Sequence, residues 1–332
     1  MTGFDSFIGN RKVVDRLRGK LRQNRFPHGL LFAGPEGVGK RTLAIMIAKA
    51  LNCTNLGPVD FCEDCSQCRK IQAGTHPDVQ TITVEEDATR IKIAQIRALL
   101  STLEMRPLEG RNKVFIIDPA NLMDDPPANA LLKGLEEPPD NSYFILLAVN
   151  SQELLVTIRS RSQTYHFAPL TLADVRSKGI TDEFAIRWSQ GSIGRAQTVD
   201  VAATKDQRAT VIEFIEAAVH ARDETLREML AASAELGRTK QDFSAYLTML
   251  TVVLGDILYL AEGTPDRIVN ADIRERLEKI AASAPSERWI RVSEFLRFME
   301  TSLKGNANKQ LLTDAMALVT AEIGNDIAAK SR

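Results

Sequence analysis

Short runs of apolar residues alternate with helical patterns along the first half of the chain. Five runs rich in aliphatic, aromatic and β-branched residues are typical of strands, and they cover residues 30–32, 79–84, 114–118, 143–149 and 163–167. Between the second and the third run, apolar residues recur with helical spacing over residues 91–103. Strands that alternate with helices predict a parallel α/β sheet, and apolar strands agree, because helices cover both faces of such a sheet.

The second half of the chain has an almost wholly helical pattern. Pro169 ends the alternating part, and helical patterns follow at residues 211–219, 243–261 and 289–303. The segment 243–261 is very apolar, which predicts that it lies inside a helical bundle or at a subunit interface. The chain is therefore expected to join an α/β domain to helical domains.

Composition indicates a soluble globular protein. Of the 332 residues, 44% are hydrophobic and 26% are charged, and the formal net charge is −1. A near-neutral molecule is not drawn to nucleic acid or to membranes by its overall charge. We expect no membrane span, because no apolar run approaches the ~18 residues that a span needs, and no secretory signal. These features predict a cytoplasmic location.

One segment departs from this charge balance. Residues 11–25 carry Asp15 as their only acidic residue. Their basic residues are Arg11, Lys12, Arg16, Arg18, Lys20, Arg22 and Arg25. We interpret the segment as the solvated face of a helix that begins near Asn10, in preference to a contact with DNA or with a partner.

All four cysteines fall in one loop-rich stretch. They are Cys53, Cys62, Cys65 and Cys68. In a reducing compartment, clustered cysteines bind metal more often than they form disulfides, and four thiolates suit a tetrahedral Zn²⁺ site. The alternative is a set of unligated core cysteines, which the polar and charged neighbours disfavour. Four thiolates leave no open coordination position, so we predict a structural zinc site.

A phosphate-binding loop follows the first predicted strand. Residues 34–42 read Gly-Pro-Glu-Gly-Val-Gly-Lys-Arg-Thr, and a helical pattern comes next. In this Walker A context the glycines let backbone N–H groups surround phosphate oxygens, and the lysine reaches the outer phosphates. The candidate nucleotide-binding residues are Gly34, Gly37, Gly39 and Lys40.

The metal-ligand position of this loop is altered. The residue after Lys40 is ordinarily Ser or Thr, whose hydroxyl holds Mg²⁺, and here it is Arg41. Thr42 lies about 100° further around the helix and is a poor replacement, although it stays among the candidate residues. The loop is expected to hold ATP or ADP without hydrolysing it.

Further motifs follow one another in a specific order. They are Phe7-Ile8-Gly9, His28-Gly29-Leu30-Leu31-Phe32, the four-cysteine insertion, His76-Pro77-Asp78-Val79, the apolar run that ends at Asp118, residues 129–139, Ser160-Arg161-Ser162 and Gly191-Ser192-Ile193-Gly194-Arg195-Ala196. Together they resemble the clamp-loader branch of AAA+ proteins, and within it the delta-prime type of bacterial DNA polymerase III. The resemblance is strong from residue 4 to about 200 and rests on length and pattern beyond that.

This resemblance implies three parts and a set of partners. Residues 1–169 would form a RecA-like AAA+ domain with the zinc module at about 53–68, residues 170–205 a helical lid, and residues 206–332 an all-helical collar that oligomerises. The implied assembly is a pentamer with gamma/tau-type and delta-type subunits, which loads the sliding clamp onto primed DNA.

The resemblance also implies that hydrolysis is lost. Active relatives carry Asp-Glu at the end of the third predicted strand, where the Asp helps hold Mg²⁺ and the Glu polarises the attacking water. This chain has Asp118 followed by Pro119, which offers no general base.

Three residues match roles outside the loop. Arg161 matches the arginine finger that reaches nucleotide phosphates on a neighbouring subunit, with Arg159 as a less favoured substitute and a surface arginine as the alternative. Asn150 and Arg195 match two sensor residues, which act only if this chain's own loop holds a nucleotide and are otherwise structural.

We therefore expect a non-hydrolysing clamp-loader subunit that contributes scaffolding and Arg161. Two alternatives stay open: an active gamma/tau-type ATPase that uses Lys40 and Asp118, and a stand-alone zinc-containing protein that binds nucleic acid through residues 11–25. Arg41 and Pro119 disfavour the first, and the near-neutral charge disfavours the second.

Overall fold

The chain folds into two compact units. The computed structural model describes residues 3–23, 25–55, 60–219 and 240–304, with residues 314, 315 and 319. The first unit holds the described residues up to Ile180 together with Gly191–Ala196, and the second holds Thr181–Gln190 and the described residues from Gln197 onward. Parts of the predicted zinc module and of the predicted collar lie outside the described residues.

The elements are numbered here along the chain. The helices are α1 Arg11–Arg22, α2 Lys40–Asn52, α3 Ser66–Gln72, α4 Ile93–Leu103, α5 Asp125–Glu136, α6 Val156–Ser160, α7 Leu172–Arg176, α8 Glu183–Trp188, α9 Ile193–Thr198, α10 Val201–Val219, α11 Lys240–Ala261, α12 Arg274–Ala281 and α13 Ser286–Lys304. The strands are β1 Gly29–Ala33, β2 Val79–Ile82, β3 Lys113–Ile117, β4 Ser142–Ala148 and β5 Gln163–His166.

One five-stranded sheet organises the first unit. Its strands lie in the order β2-β3-β4-β1-β5, and every neighbouring pair is parallel. Leu31 at the middle of β1 lies opposite Leu146 on one side and Thr164 on the other. The predicted parallel α/β sheet is thereby confirmed.

The second predicted strand ends earlier than the sequence pattern suggests. The pattern extends the second strand to residue 84, but β2 ends at Ile82, which pairs with Ile117 at the end of β3. Thr83 and Val84 therefore have no strand residue of β3 beside them. An apolar or β-branched residue can continue the sequence pattern of a strand, but the ladder stops where the partner strand stops.

Both faces of the sheet are buried, which explains its apolar strands. Leu30 and Phe32 point to the layer that contains α1 and α2, where they pack with Leu17 and Ile47. Leu31, between them, points to the opposite layer, formed with α4 and α5. Successive strand residues face opposite sides, so a strand covered on both sides needs apolar residues at nearly every position.

The same arrangement places the polar loops at one edge. Because the strands are parallel, their carboxyl ends lie together, and the segments that leave β1, β3 and β4 begin there. These segments are the glycine-rich loop at residues 34–39, Asp118 and Asn150. Ligands of open parallel sheets bind at this edge.

The second unit is a bundle around α11. Its core combines apolar side chains from α10, α11, α12 and α13, including Ile215, Leu250, Leu277 and Trp289. The prediction that residues 243–261 lie inside a helical bundle is confirmed. Helix α10 begins ten residues before the predicted segment 211–219, because Asp200 accepts the Ala203 N–H at 3.1 Å and caps a polar first half.

The central helix corrects one expectation. By length and composition, Phe243–Ala261 could cross a membrane, so the expectation that no apolar run reaches this length is wrong. Its apolar stretch is interrupted by Asp256, which is buried and accepts the backbone N–H groups of Val269 and Asn270, each at 2.8 Å. A buried carboxylate held by the next segment is typical of a helix in a protein core.

Asp78 fastens the loop that precedes β3. It is buried and accepts the backbone N–H groups of Leu108, Glu109 and Gly110, each at 2.8 Å. Burial raises the pKa of this carboxyl, but the three N–H donors outweigh burial and leave the pKa below its ordinary value. The loop 108–110 thus depends on a charged acceptor.

We expect Asp78→Ala to lower the free energy of unfolding of the first unit by about 3 kcal/mol, because three donors lose their acceptor. Urea denaturation followed by far-UV circular dichroism measures this loss. Tryptophan fluorescence would not report it, because both tryptophans, Trp188 and Trp289, lie in the second unit. Hydrogen exchange should become faster at residues 108–110.

The stabilisation by Asp78 should also depend on pH. Because its folded-state pKa is depressed, the contribution is fully present above the unfolded-state pKa of about 4 and is lost as pH falls through the folded-state pKa. Asp78→Asn keeps the size but not the charge, so its stability should lack this acid-dependent loss. An equal pH dependence in Asp78→Asn would contradict this role.

Candidate functional site

The glycine-rich loop connects β1 to α2 at the carboxyl edge of the sheet. Gly34, Gly37 and Gly39 have φ angles of 154°, 72° and 96°, in the region that favours glycine. The N–H of Gly34 donates to the carbonyl of Ala148 at the end of β4, at 3.2 Å. The loop is therefore tied to the sheet and leads directly into the N-terminus of α2.

Lys40 closes this loop upon itself. Its Nζ donates to the carbonyls of Gly34 and Pro35, both at 2.6 Å, and its side chain is buried. Burial lowers the pKa of Lys40, whereas the negative charges of Asp118 and Glu36 raise it. An ammonium group has three N–H donors, so one donor is left for a ligand oxygen.

Arg41 pairs with the acidic residue at the end of β3. Its Nη1 lies 3.7 Å from Oδ2 of Asp118. Burial raises the pKa of Asp118, and the positive charges of Arg41 and Lys40 oppose that rise. The structure thus brings Lys40, Arg41 and Asp118 together, whereas Thr42 is exposed on α2.

The two predicted sensor residues make local contacts. Oδ1 of Asn150 accepts the Gln152 N–H at 3.0 Å, so this side chain caps the short turn after β4. The backbone N–H of Arg195 donates to Oγ of Ser192 at 3.1 Å, and its side chain is exposed. A sensor role for either side chain stays a prediction.

The sequence analysis missed a contact that covers the loop. A Cβ atom on Gly37 would lie 2.0 Å from Oγ of Ser192 and 3.3 Å from the backbone nitrogen of Gly194. The Gly194 N–H points to the Gly37 carbonyl at 3.5 Å. The small residues of the Gly191–Ala196 segment are the sequence signal for this close approach.

Arg161 lies at the end of α6 and is held by α5. Its Nη2 lies 2.7 Å from Oε1 of Glu136, and its Nη1 donates to the carbonyl of Thr157 at 3.1 Å. Both members of the ion pair are exposed. Arg159 instead donates to the side chain of Gln152. Glu136 is a second residue that sequence reasoning did not link to the site.

The four cysteines form a compact cluster between α2 and α3. Their sulfur atoms all lie within 4.8 Å of one another, with Cys53 3.6 Å from Cys62 and 3.9 Å from Cys65. A tetrahedral zinc ion with Zn–S bonds near 2.3 Å requires sulfur separations of about 3.8 Å. The cluster can therefore hold a metal ion of this size.

Local hydrogen bonds favour a thiolate at Cys65, whereas burial raises the pKa of Cys53 and of Cys68. Burial opposes ionisation of Cys65, but hydrogen bonds from Thr54 and from the backbone of Cys68 lower its pKa to about 5. Cys68 N–H lies 3.5 Å from the Cys65 sulfur, at the start of α3. Thiolates are the form of cysteine that binds metal.

Two arginines of the basic segment 11–25 contact other residues of the first unit. Arg18 pairs with Asp5 at 3.0 Å and with Asp60 at 3.1 Å, and Arg16 lies over the ring of Tyr165. Most of its described residues fall on α1, as expected for a helix that begins near Asn10.

Comparison with known proteins reveals relatives along nearly the whole chain. The family described as "DNA polymerase III, delta subunit" matches residues 9–171, and "DNA polymerase III, delta subunit, C terminal" matches residues 203–320. DNA polymerase III subunit delta' of Bacillus subtilis is 28% identical over 320 residues, 94% of this chain and 96% of the relative.

Two further relatives show how the likeness is distributed. Subunit delta' of Pseudomonas aeruginosa is 27% identical over 89% of this chain and 92% of the relative. Subunit tau of Escherichia coli is 36% identical over 173 residues, which cover 52% of this chain and 26% of the relative. The likeness to delta' thus extends over both units, whereas the likeness to this tau subunit extends over about half of the chain.

The contact over the loop can be tested with two glycines. Gly37 and Gly74 have nearly the same φ angles, 72° and 70°, but a Cβ atom on Gly74 would meet nothing within 4 Å. We expect Gly74→Ala to cost about 1–2 kcal/mol for its backbone conformation alone. Gly37→Ala should cost roughly 1–3 kcal/mol more, because of the overlap with Ser192.

Thermal unfolding followed by far-UV circular dichroism measures both losses. Rotation of the Ser192 side chain could relieve the overlap only by breaking its hydrogen bond with the Arg195 N–H. A double-mutant cycle with Ser192→Ala should recover much of the additional loss. Equal losses in Gly37→Ala and Gly74→Ala would show that the segment does not cover the loop.

Proposed function

Because the chain belongs to the family of DNA polymerase III delta-prime subunits, we propose that it is a non-hydrolysing subunit of a clamp loader. In this proposal it helps to place a sliding clamp on primed DNA, and the hydrolysis of ATP takes place on neighbouring subunits. It has no intrinsic ATPase activity and acts as a component of a DNA polymerase complex.

The observation that carries the non-hydrolysing role is the pair formed by Arg41 and Asp118. An ATPase of this fold uses a hydroxyl ligand after the lysine and a carboxylate general base after the strand. This chain has Arg41 and Pro119 at those positions, although the loop, the sheet and Lys40 keep their arrangement. The chain therefore keeps the fold of such an ATPase but lacks the hydroxyl ligand and the general base that hydrolysis requires.

The proposed contribution to catalysis is Arg161. A guanidinium group is planar and permanently charged, and it stabilises charge on a transferred phosphoryl group when a neighbouring subunit presents one. Arg161 is exposed, and Glu136 and the Thr157 carbonyl hold it at the end of α6. These contacts support a pre-positioned side chain that can reach another chain.

The remaining parts follow from membership of this family. We propose a RecA-like domain at residues 1–169, a helical lid at 170–205 and a collar at 206–332, through which the chain joins gamma/tau-type and delta-type subunits in a pentamer. The exposed Ile290 and Phe298 on α13 support a surface for assembly. The proposed location is the cytoplasm, where replication proteins meet DNA.

A structural Zn²⁺ ion is the proposed occupant of the cysteine cluster. The residues fit the ion, because four sulfur atoms lie at separations that tetrahedral coordination requires. Cys53, Cys62, Cys65 and Cys68 would hold it and leave no position for a substrate. Bound zinc would supply stability to the segment between α2 and α3.

The finger is tested in a reconstituted clamp loader of the full chain and its partner subunits. We expect Arg161→Ala to slow hydrolysis at the one nucleotide site that it reaches by about 10³-fold. The DNA-stimulated ATPase of the complex should fall accordingly, while assembly is unchanged. Arg159→Ala is the matched control, because it removes a nearby arginine that contacts Gln152, and its ATPase should stay near wild type.

Measurements on the complex and on the isolated chain separate the alternative functions. Unchanged ATPase in Arg161→Ala would show that Arg161 is not the finger. Turnover by the isolated chain that Lys40→Ala abolishes would identify an active ATPase of the gamma/tau type. Tight, salt-sensitive DNA binding by the isolated chain would instead support the nucleic-acid-binding alternative.

Metal content is tested by inductively coupled plasma mass spectrometry of the purified chain. We expect about one zinc ion per chain, because the cluster has one set of four thiolates. Cys65→Ser should lose the ion and lower the melting temperature of the first unit, whereas Ser66→Ala, at the next position, should keep both. A purified wild-type chain without metal would contradict a structural zinc site. So would a melting temperature that chelation leaves unchanged.

A further inference from the structure

The Mg²⁺ ion that accompanies nucleotides in P-loop proteins does not fit the residues of this loop. That ion needs a hydroxyl ligand from the residue after the lysine, and the acidic residue at the end of the neighbouring strand helps to hold it. Arg41 occupies the first position. Thr42, one residue further on, is exposed about 100° around α2 and does not replace the missing ligand.

The carboxylate that would help to hold the ion already has a cation beside it. Nη1 of Arg41 lies 3.7 Å from Oδ2 of Asp118, and Lys40 also acts on this carboxylate electrostatically. The Asp118 side chain is 25% exposed, so its charge is only partly screened by water. A divalent cation placed at Asp118 would lie next to a permanent guanidinium charge, which repels it.

The same residues suit a polyphosphate that carries no metal. Such a polyphosphate has more negative charge than its magnesium complex, and two consecutive cations, Lys40 and Arg41, begin helix α2 beside the glycine loop. Lys40 keeps one N–H donor beyond those given to Gly34 and Pro35. The guanidinium of Arg41 is 55% exposed and has the planar fork that binds phosphate oxygens in pairs.

We propose that this loop binds the polyphosphate of a nucleotide without a divalent cation, with Arg41 in the place of the metal. The inference rests on the assignment of residues 34–42 as a nucleotide site, and it does not depend on Arg161 as the finger. A guanidinium group carries a permanent positive charge, so this site has a built-in counter-charge for phosphate. A nucleotide held in this way serves as a structural ligand, because neither Mg²⁺ nor a general base is present to hydrolyse it.

The test is the affinity of the full chain for a fluorescent ADP analogue, MANT-ADP, with saturating Mg²⁺ and without Mg²⁺. Magnesium is omitted and not chelated, because EDTA would also compete for metal at the cysteine cluster. Three variants are compared with the wild type: Arg41→Thr, Arg41→Lys and Arg90→Ala. Arg90 is the matched control, since it forms an ion pair with Asp124 at 3.3 Å and is 53% exposed.

The wild type should bind MANT-ADP without Mg²⁺ at least as tightly as with it. Arg41→Thr restores the hydroxyl and removes the competing charge, so Mg²⁺ should tighten its binding by about tenfold. Arg41→Lys keeps the charge without the fork, so binding should be weaker but still independent of Mg²⁺. Arg90→Ala should behave as the wild type.

A second measurement detects the metal directly. Mn²⁺ is added in the presence of ADP, and its electron paramagnetic resonance signal reports whether the ion is bound. We expect no ADP-dependent Mn²⁺ binding by the wild type and about one bound ion per chain for Arg41→Thr.

Three results would overturn the proposal: wild-type binding that requires Mg²⁺, no wild-type binding in either buffer, or Arg41→Thr that behaves as the wild type. Each leaves the clamp-loader role untouched, because that role is judged by the ATPase of the assembled complex with Arg161→Ala. Conversely, Arg161→Ala could leave the ATPase of the complex unchanged while the wild type still binds MANT-ADP without Mg²⁺. That result would contradict the role of Arg161 as the finger and would support this site.

Discussion

Burial of both faces of the parallel sheet is the constraint on which the first unit depends. Leu30, Leu31 and Phe32 alternate between two apolar layers, so no position along β1 is free for a polar side chain. Polar chemistry is therefore confined to the edge where strands end. The loop at residues 34–39 and Asp118 lie there because the interior of the sheet cannot accommodate them.

At that edge, the arrangement of a nucleotide site is kept while its chemistry is changed. Gly34, Gly37 and Gly39 hold the backbone conformations that a phosphate loop needs, and Lys40 holds the loop together through two of its own carbonyls. Arg41 then neutralises Asp118 across the edge. The cation and the carboxylate lie side by side within the chain, and the site does not depend on a metal for its charge balance.

The sheet, the loop and the cysteine cluster could be predicted from the sequence, because each depends on a pattern of residues that are close along the chain. The alternation of strands and helices predicted the α/β sheet, the glycine spacing predicted the loop, and the spacing of the cysteines predicted their cluster. What could not be predicted depends on residues that are distant along the chain. Examples are the contact of Ser192 with Gly37 and the ion pair of Glu136 with Arg161.

The apolar helix α11 shows a different limit. Its composition alone fits a membrane span, and only the three-dimensional contacts of Asp256 with Val269 and Asn270 show why a carboxylate belongs in it. Strand ends are a further case, since β2 stops with its partner β3 and not with its own sequence pattern.

The contact between Gly37 and Ser192 also limits how the chain can vary. A side chain at position 37 requires space at position 192, so the two positions, which are distant in sequence, cannot drift independently. A larger residue at either position would separate the loop from the segment above it. Natural homologues that lose the glycine should therefore also show compensating changes near residue 192, a covariation that reports the closure of the loop throughout the family.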